Sequence, residues 1–374
     1  MLNRRIIRGK VLQQIFAYKT CTGANAEILT EKLIEIFSPD LNSLEPQDTK
    51  KLEGLGKLAL LQFNEYLKTG NRASEEGMPE EVIKATQSIM NQYDDLNKKD
   101  KTRILNRMVE DSEKISDHYL LVIQLIIELA DKLAEHKKIS GLQKNGIIQL
   151  LKQDAIFNQE ITKRSITWVN DQDIVNELIV TISKDATLKD YKPKAEDEEG
   201  EIKTVLYILK TILFKNPAFH DFFEGKLLHW QEDKAAVKDL VEDTLKDFWQ
   251  TKSFKLRSVS KNWDDDKVFM KELYLNTIEK DRYLEELITP KLKNWDISRL
   301  TVTDSIIMKM CIEEMIHFFN IPVKVSLNEY IELSKKYSTP KSKTLINGVI
   351  DNLSEDLIKS GIIKKSGRGL IDNK

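Results

Sequence analysis

Apolar residues recur at helical spacing along nearly the whole chain, and no stretch keeps the two-residue alternation of a half-buried strand. The clearest stripe is Ile115, Tyr119, Val122, Ile126, Leu129 and Leu133, at alternating intervals of four and three. Too few heptads follow it for a coiled-coil seam, so it reads as the core face of a bundle helix. The same pattern predicts helices over 4–19, 26–37, 49–68, 80–97, 112–138, 144–152, 172–184, 202–215, 218–229, 233–249, 265–280, 298–319, 323–337 and 342–359. Breaks are expected at SPDLNSLEPQD (38–48), GNRASEEGMPE (70–80) and YKPKAEDEEGE (191–201), the last a candidate linker. No internal repeat has a solenoid period.

The helix expected over IPVKVSLNEYIELSKKYSTP (321–340) is bounded by Pro322, tolerated in a first turn, and by Pro340. Val323, Leu327, Ile331 and Ser334, flanked by Tyr330 and Tyr337, form its expected buried stripe, with Lys324, Asn328, Glu332 and Lys335 on the polar side. Asn328 sits at the border, where an amide can tie down a neighbouring loop or helix end.

At 374 residues, 41% hydrophobic and 32% charged, the chain can bury one large or two ordinary cores. Its 14 glycines and 8 prolines are few for that length, which favours helix over sheet. The net charge of −2 hides an uneven distribution, because Arg4, Arg5, Arg8, Lys10 and Lys19 all precede the first acid, Glu27. Lys359, Lys364, Lys365, Arg368 and Lys374 make a second basic cluster, read as a mobile tail. Cys21 and Cys311 lack zinc-site spacing and suit a reducing cytoplasm without a disulfide. MLNRRIIRGK lacks the apolar core of a secretory signal, and LLVIQLIIELA (120–130), interrupted by Gln124 and Glu128, is too short to cross a membrane. A cytoplasmic location without membrane partners is expected.

Signatures of chemistry are missing from the sequence: no phosphate loop, dinucleotide fingerprint or GxSxG elbow occurs. Gly54 and Gly56 in LEGLGKLALL read as close helix packing. His118, His136, His220, His229 and His317 never fall at metal-ligand spacing, and His220 and His229, with Asp221 and Glu224 between them, read as bundle residues. Asp264, Asp265 and Asp266 after Trp263 read as the acidic first turn of a helix. The expectation is therefore no metal, no cofactor and no catalysis. The first helix is the better functional candidate. Ile7, Val11, Ile15 and Tyr18 give it an apolar face, Arg4 and Arg8 stack one turn apart, and Arg5 lies beside them. Gly9 costs about 1 kcal/mol relative to Ala inside a helix, and a close backbone approach by RNA or another helix would explain it. Arginines at a helix start oppose the macrodipole, which fits either an anionic partner or a solubilising arm.

These motifs resemble the NusB family of transcription antitermination factors. The opening NRRIIRGKVLQQIFAY looks like that family's arginine-rich start, with Arg4, Arg5, Arg8, Gln13 and Phe16 at matching positions. The C-terminal resemblance is more specific. It runs from DISRLTVTDSIIMKMCIEEM through IPVKVSLNEYIELSKKYS to SKTLINGVIDNL and includes Pro322, Lys324, Asn328, Glu329, Asn347 and Gly348. The long helical middle resembles the extended form of the family found in Bacteroidetes.

The resemblance implies an all-α, NusB-like bundle of two packed subbundles with a large helical insertion. Its parts would be an RNA-binding helix (1–22), the insertion (23–110), an extended N-terminal subdomain (111–263), the signature subbundle (264–360) and a basic flexible tail (361–374). It further implies binding to boxA-containing RNA of ribosomal leader transcripts with the ribosomal protein NusE, within the RNA polymerase antitermination complex. Arg4, Arg5, Arg8 and Gln13 would contact RNA, Phe16 and Asp304 would face NusE, and Asn328 and Glu329 would hold the helix of Asn347 and Gly348. Three positions depart from the family: Ser305 stands where a basic residue is usual, Lys341 where many members have an acid, and Thr344 where Lys is usual. They bear on partner contacts more than on fold. A helical adaptor without RNA binding is the alternative. NusB-like domains also precede an RNA methyltransferase domain, but no Gly-rich cofactor loop is present.

Overall fold

The computed structural model describes residues 1–42, 46–72, 76–136, 139–189, 191–193, 197–292 and 300–371. Parts of the breaks expected at 38–48, 70–80 and 191–201, the start of the signature at 296–299, and Lys374 of the tail lie outside them. The protein is all-α, with no strand among the described residues. Its helices are α1 (Arg4–Ile36), α2 (Thr49–Thr69), α3 (Glu80–Glu113), α4 (Ile115–Glu135), α5 (Ser140–Gln143), α6 (Gly146–Gln153), α7 (Ala155–Lys163) and α8 (Gln172–Lys184). They continue with α9 (Glu198–Tyr207), α10 (Pro217–Lys226), α11 (Trp230–Thr251), α12 (Trp263–Glu279), α13 (Asp281–Ile288), α14 (Val302–His317), α15 (Val323–Tyr337) and α16 (Pro340–Lys359). The chain forms two compact units, one of Met1–Lys10 with Val109–Glu272 and one of Val11–Met108 with Leu273–Lys374.

Several helices run further than periodicity predicts. α1 passes through TCTGAN, where a break between 19 and 26 is expected. The hydroxyls that favour a turn there donate instead to the helix's own carbonyls, Thr20 to Phe16 at 3.0 Å and Thr22 to Lys19 at 2.8 Å. The Asn25 amide is taken up by Asn97 and Asp100 of α3, both at 3.0 Å. α3 likewise continues beyond 97, because Ile104, Met108 and Val109 give its polar second half a buried edge. α7 and α13 are too short for periodicity to reveal. α7 is started by Asp154, whose Oδ1 accepts from the Phe157 N–H at 2.8 Å.

In the first unit α4 is the central helix. Every residue of its predicted stripe is buried, and so are Leu120, Ile123, Leu125 and Ala130, so the helix is enclosed on most sides as a bundle core. α5, α8 and α11 pack around it. Two of its polar groups find partners at the periphery: the Tyr119 hydroxyl accepts from the Arg257 N–H at 3.0 Å, and the Leu121 carbonyl accepts from Trp168 Nε1 at 2.9 Å. Asn145 starts α6 with its side-chain oxygen while its amide donates to Tyr191 and to the Glu201 carbonyl. His220 is a structural residue, with Nδ1 accepting from Trp230 Nε1 at 3.1 Å and Nε2 lying 3.1 Å from the Phe214 carbonyl.

In the second unit the later part of α1 joins α2 and α3 around Leu29, Leu33, Phe63, Tyr66, Val82 and Ile89. Gly56 is the closely packed glycine here, since a Cβ would lie 3.2 Å from that of Phe37, whereas Gly54 faces open space. Within the same unit α14 is surrounded by α13, α15 and α16. Most of it is buried, including four charged residues, Asp304, Lys309, Glu313 and Glu314. Lys309 donates to Asp281 at 2.9 Å and Glu285 at 2.8 Å, and Glu313 receives Lys280 at 2.8 Å. Glu314, with no exposed surface, accepts from Ser326 Oγ at 2.7 Å and the Tyr330 hydroxyl at 3.0 Å.

That carboxylate rotates α15 away from its predicted face. The buried residues are Val323, Ser326, Tyr330, Leu333 and Ser334, while Leu327 and Ile331 are only half-buried. Satisfying a buried charge outweighs burying two branched side chains more fully. Residues after 360, expected to be a free tail, are hydrogen-bonded in their described part. Ser366 N–H and Lys365 Nζ donate to the carbonyls of Phe319 at 3.1 Å and Phe318 at 3.0 Å.

Removing the Glu314 carboxylate strands two buried hydroxyls. Glu314→Ala is expected to destabilise the protein by about 2–4 kcal/mol and Glu314→Gln by clearly less. Urea unfolding checks this, and an alanine variant within about 0.5 kcal/mol of the parent would refute it.

Candidate nucleic-acid interface

The start of α1 carries the arginines, but the first unit claims most of their capacity. Arg4 donates from Nη2 to Asp265 at 2.6 Å and from Nε to Asp266 at 3.2 Å. Its guanidinium carbon lies 4.7 Å from the centre of the Phe269 ring, and that of Arg8 lies 5.3 Å from the same centre. Arg8 is buried, at 3% exposure, and Gly9 is buried beside it, so the glycine opens onto the protein interior and not onto a strand of RNA. Arg5 is exposed. Gln13, on the part of α1 that belongs to the second unit, is half-buried, with Oε1 enclosed and lacking a hydrogen-bond partner among the described residues.

The acidic first turn of α12 therefore does two things. It offsets its own helix dipole, and it supplies the carboxylates that counter the cations at the start of α1. Its position is fixed from α3, where Glu113 accepts from Trp263 Nε1 at 3.1 Å and Lys267 Nζ at 2.7 Å. Lys267, with help from Trp263, holds the Glu113 carboxyl below its ordinary range. Lys10 anchors the arm more deeply. At 1% exposure it donates to Asp233 of α11 at 2.8 Å, and Asp233 Oδ1 has no partner among the described residues. Asp265, Asp266, Phe269 and Asp233 escape a reading of periodicity because no local pattern couples them to residues more than two hundred positions earlier.

The partner-facing expectations fall in the second unit. Phe16 is 46% exposed and lines a groove of about 640 Å³ together with Gly23, Leu67, Tyr93, Val302 and Ser305. Asp304 is not on that surface. It is 1% exposed at the third position of α14, where it forms a capping box with Thr301, takes the Ser342 hydroxyl at 2.9 Å and also accepts from Ser338. It shapes the groove by fixing the turn that carries Val302 and Ser305. At the groove's edge, Lys19 and Lys309 both donate to Asp281 at 2.9 Å; burial opposes ionisation, but the two lysines hold this carboxyl below its ordinary value.

The signature residues divide between inside and outside. Pro322 starts α15 in extended conformation. Lys324, Asn328, Asn347 and Gly348 are exposed, Glu329 is half-buried, and neither asparagine makes a side-chain hydrogen bond among the described residues. The tying role expected of Asn328 falls to Asp304 and Glu314, whose serine and tyrosine partners join α14 to α15 and α16. A Cβ on Gly348 would meet nothing within 4 Å, so this glycine costs helix stability without relieving an internal contact.

Residues 227–355 match the model of the NusB family. The C-terminal part of this chain is thus similar to the NusB family. Relatives named transcription antitermination protein NusB align with it from Salinibacter ruber (40% identical over 103 residues, 28% of this chain and 64% of that protein) and Chloroherpeton thalassium (35% over 106, 28% and 50%). A third, from Clostridium kluyveri, is 47% identical over 83 residues, 22% of this chain and 53% of that protein. The alignments thus span between 50% and 64% of these relatives. No solved structure matches. The NusB family match includes Asp304 and the signature of α15 and α16, and excludes Arg4, Arg5, Arg8, Gln13 and Phe16.

The anchoring of the arm has a pH signature. Burial pushes the Asp233 carboxyl from 3.8 up to about 6 despite Lys10, and burial pushes the His118 imidazole from 6.5 down to about 4, with Asp117 opposing and Lys10 adding to the fall. Between 3.8 and about 6 the folded state holds the extra proton on Asp233, so this group adds stability as pH falls. Between about 4 and 6.5 the folded state lacks the proton that His118 carries when unfolded, so that group loses stability as pH falls. The contributions, each on the order of 3 kcal/mol, oppose one another. Asp233→Asn is expected to steepen the loss of stability on acidification and His118→Gln to reverse it. Urea unfolding from about pH 4 to about pH 7 tests this, and parallel curves for all three proteins would refute it.

Proposed function

We propose that this chain is an RNA-binding transcription antitermination factor that takes boxA-containing RNA of ribosomal leader transcripts, together with the ribosomal protein NusE, into the RNA polymerase antitermination complex. The observation that carries the reading is the NusB-family match over residues 227–355, shared with relatives that bear the antitermination name. The sequence adds a basic first helix, and the structure leaves Arg5 exposed and Arg4 partly so at its start. In this reading Arg4 and Arg5 contact phosphate. Arg8 and Lys10 are positioning residues, since each is buried and reaches the ligand only through the helix it fixes. No catalysis is assigned.

Phe16 and its groove serve the protein partner. The apolar side chain exposed there, with Val302 across from it, is the observation that also favours a purely protein-binding adaptor. RNA binding separates the two readings, because a protein making Z contacts to single-stranded phosphate loses affinity with salt at a slope of about −0.7Z.

The test is binding of the purified chain to a boxA strand and a scrambled strand across a salt series, with and without NusE. Antitermination predicts preference for boxA, strengthening by NusE, and a slope about 0.7 shallower in Arg5→Ala. Phe16→Ala should leave RNA binding by the chain alone intact and abolish the gain from NusE. Equal, weak binding of both strands with no effect of Arg5→Ala would leave the adaptor reading.

A further inference from the structure

We propose that Asp265 is a built-in competitor for RNA: it occupies the guanidinium edge of Arg4 that a phosphate would take, so binding proceeds by exchange of a carboxylate for a phosphate. The inference rests on the RNA-binding reading above. Arg4 meets its acids unequally. Asp266 is 14% exposed and holds Nε, while Asp265 is 60% exposed and holds Nη2 at 2.6 Å. The face of the guanidinium rests on Phe269, itself buried. This arrangement separates an anchor from a gate. Phe269 and Asp266 keep Arg4 in place, and Asp265, at the solvent edge, presents oxygens where phosphate oxygens would bind.

Exchange predicts a specific ionic signature. When phosphate displaces Asp265, the RNA sheds a condensed cation and the freed carboxylate attracts one, so Arg4 adds little to the salt slope although it makes the contact. Neutralising Asp265 removes the second half of that exchange, and Arg4 then contributes the full increment. Phosphate carries no sequence information, so boxA and scrambled strands tighten equally and their ratio stays the same. Asp264, next in sequence, exposed and with no contact to Arg4, gives the matched control for a change of one charge in the same helical turn.

The experiment compares the full chain with Asp265→Asn, Asp264→Asn and the double variant Arg4→Ala/Asp265→Asn, binding boxA and scrambled RNA over a salt series. At low salt Asp265→Asn is expected to bind both strands roughly two- to fivefold more tightly than Asp264→Asn does, with a slope steeper by about 0.7. The gain should vanish in the double variant, which assigns it to Arg4. Thermal unfolding should place Asp265→Asn slightly below Asp264→Asn, because it alone also loses an exposed ion pair to Arg4. Equal RNA binding by the single variants, or weaker binding by Asp265→Asn, overturns the competitor and leaves RNA binding standing. No RNA binding by the parent or any variant overturns both.

Discussion

A lysine ammonium with almost no contact with water must find a carboxylate, and in this protein Lys10 finds Asp233 of α11. Around that pair the first turns of α1 are laid down against the first unit. Ile7 buries its apolar side chain, Arg8 stacks on Phe269, and Arg4 reaches back to the acidic turn of α12. Basic residues at a helix start are unfavourable on their own account, and these carboxylates reverse that sign. The result sets how far each cation is drawn into the protein. Of three arginines that look equivalent on a helical wheel, one is exposed, one is shared with two acids, and one is inside.

A second set of buried charges organises the C-terminal helices. α14 carries Asp304, Lys309, Glu313 and Glu314 in a helix otherwise made of core residues. A continuous apolar helix could be packed by its neighbours in several rotations, whereas hydrogen bonds from Ser326 and Tyr330 to Glu314, and from Ser342 to Asp304, admit one. Burial pushes the Glu313 carboxyl up, with Lys280 and His317 opposing, and one of its oxygens has no partner among the described residues. The signature of this region therefore contains two kinds of residue. Some satisfy α14 from within, and others, such as Asn328, Asn347 and Gly348, stand at the surface without an internal use that the structure displays.

The sequence by itself determined the helical class, because a period of 3.6 in apolar residues survives any arrangement of the helices. It also determined the stripe of α4, the limits of α15 and the family that 227–355 resembles, since caps, prolines and motif spacings are local quantities. Helix length was less legible. Gly23 and the threonines near it argue for a break in α1, and only contacts with α3, through Asn25, and hydroxyls turned back onto the helix keep it continuous.

What each charged residue does was decided by tertiary structure alone. Asp304 and Arg8 carry the residue types of a surface and lie inside, and Asp265 and Asp266, readable as a helix start, are also the counter-ions of an arginine 261 and 262 positions away. The physical reason is range. Periodicity reports which face of a helix is buried, but the strength of a charge depends on the solvent left around it and on the ions within a few ångströms, and neither is a property of neighbouring positions in the chain.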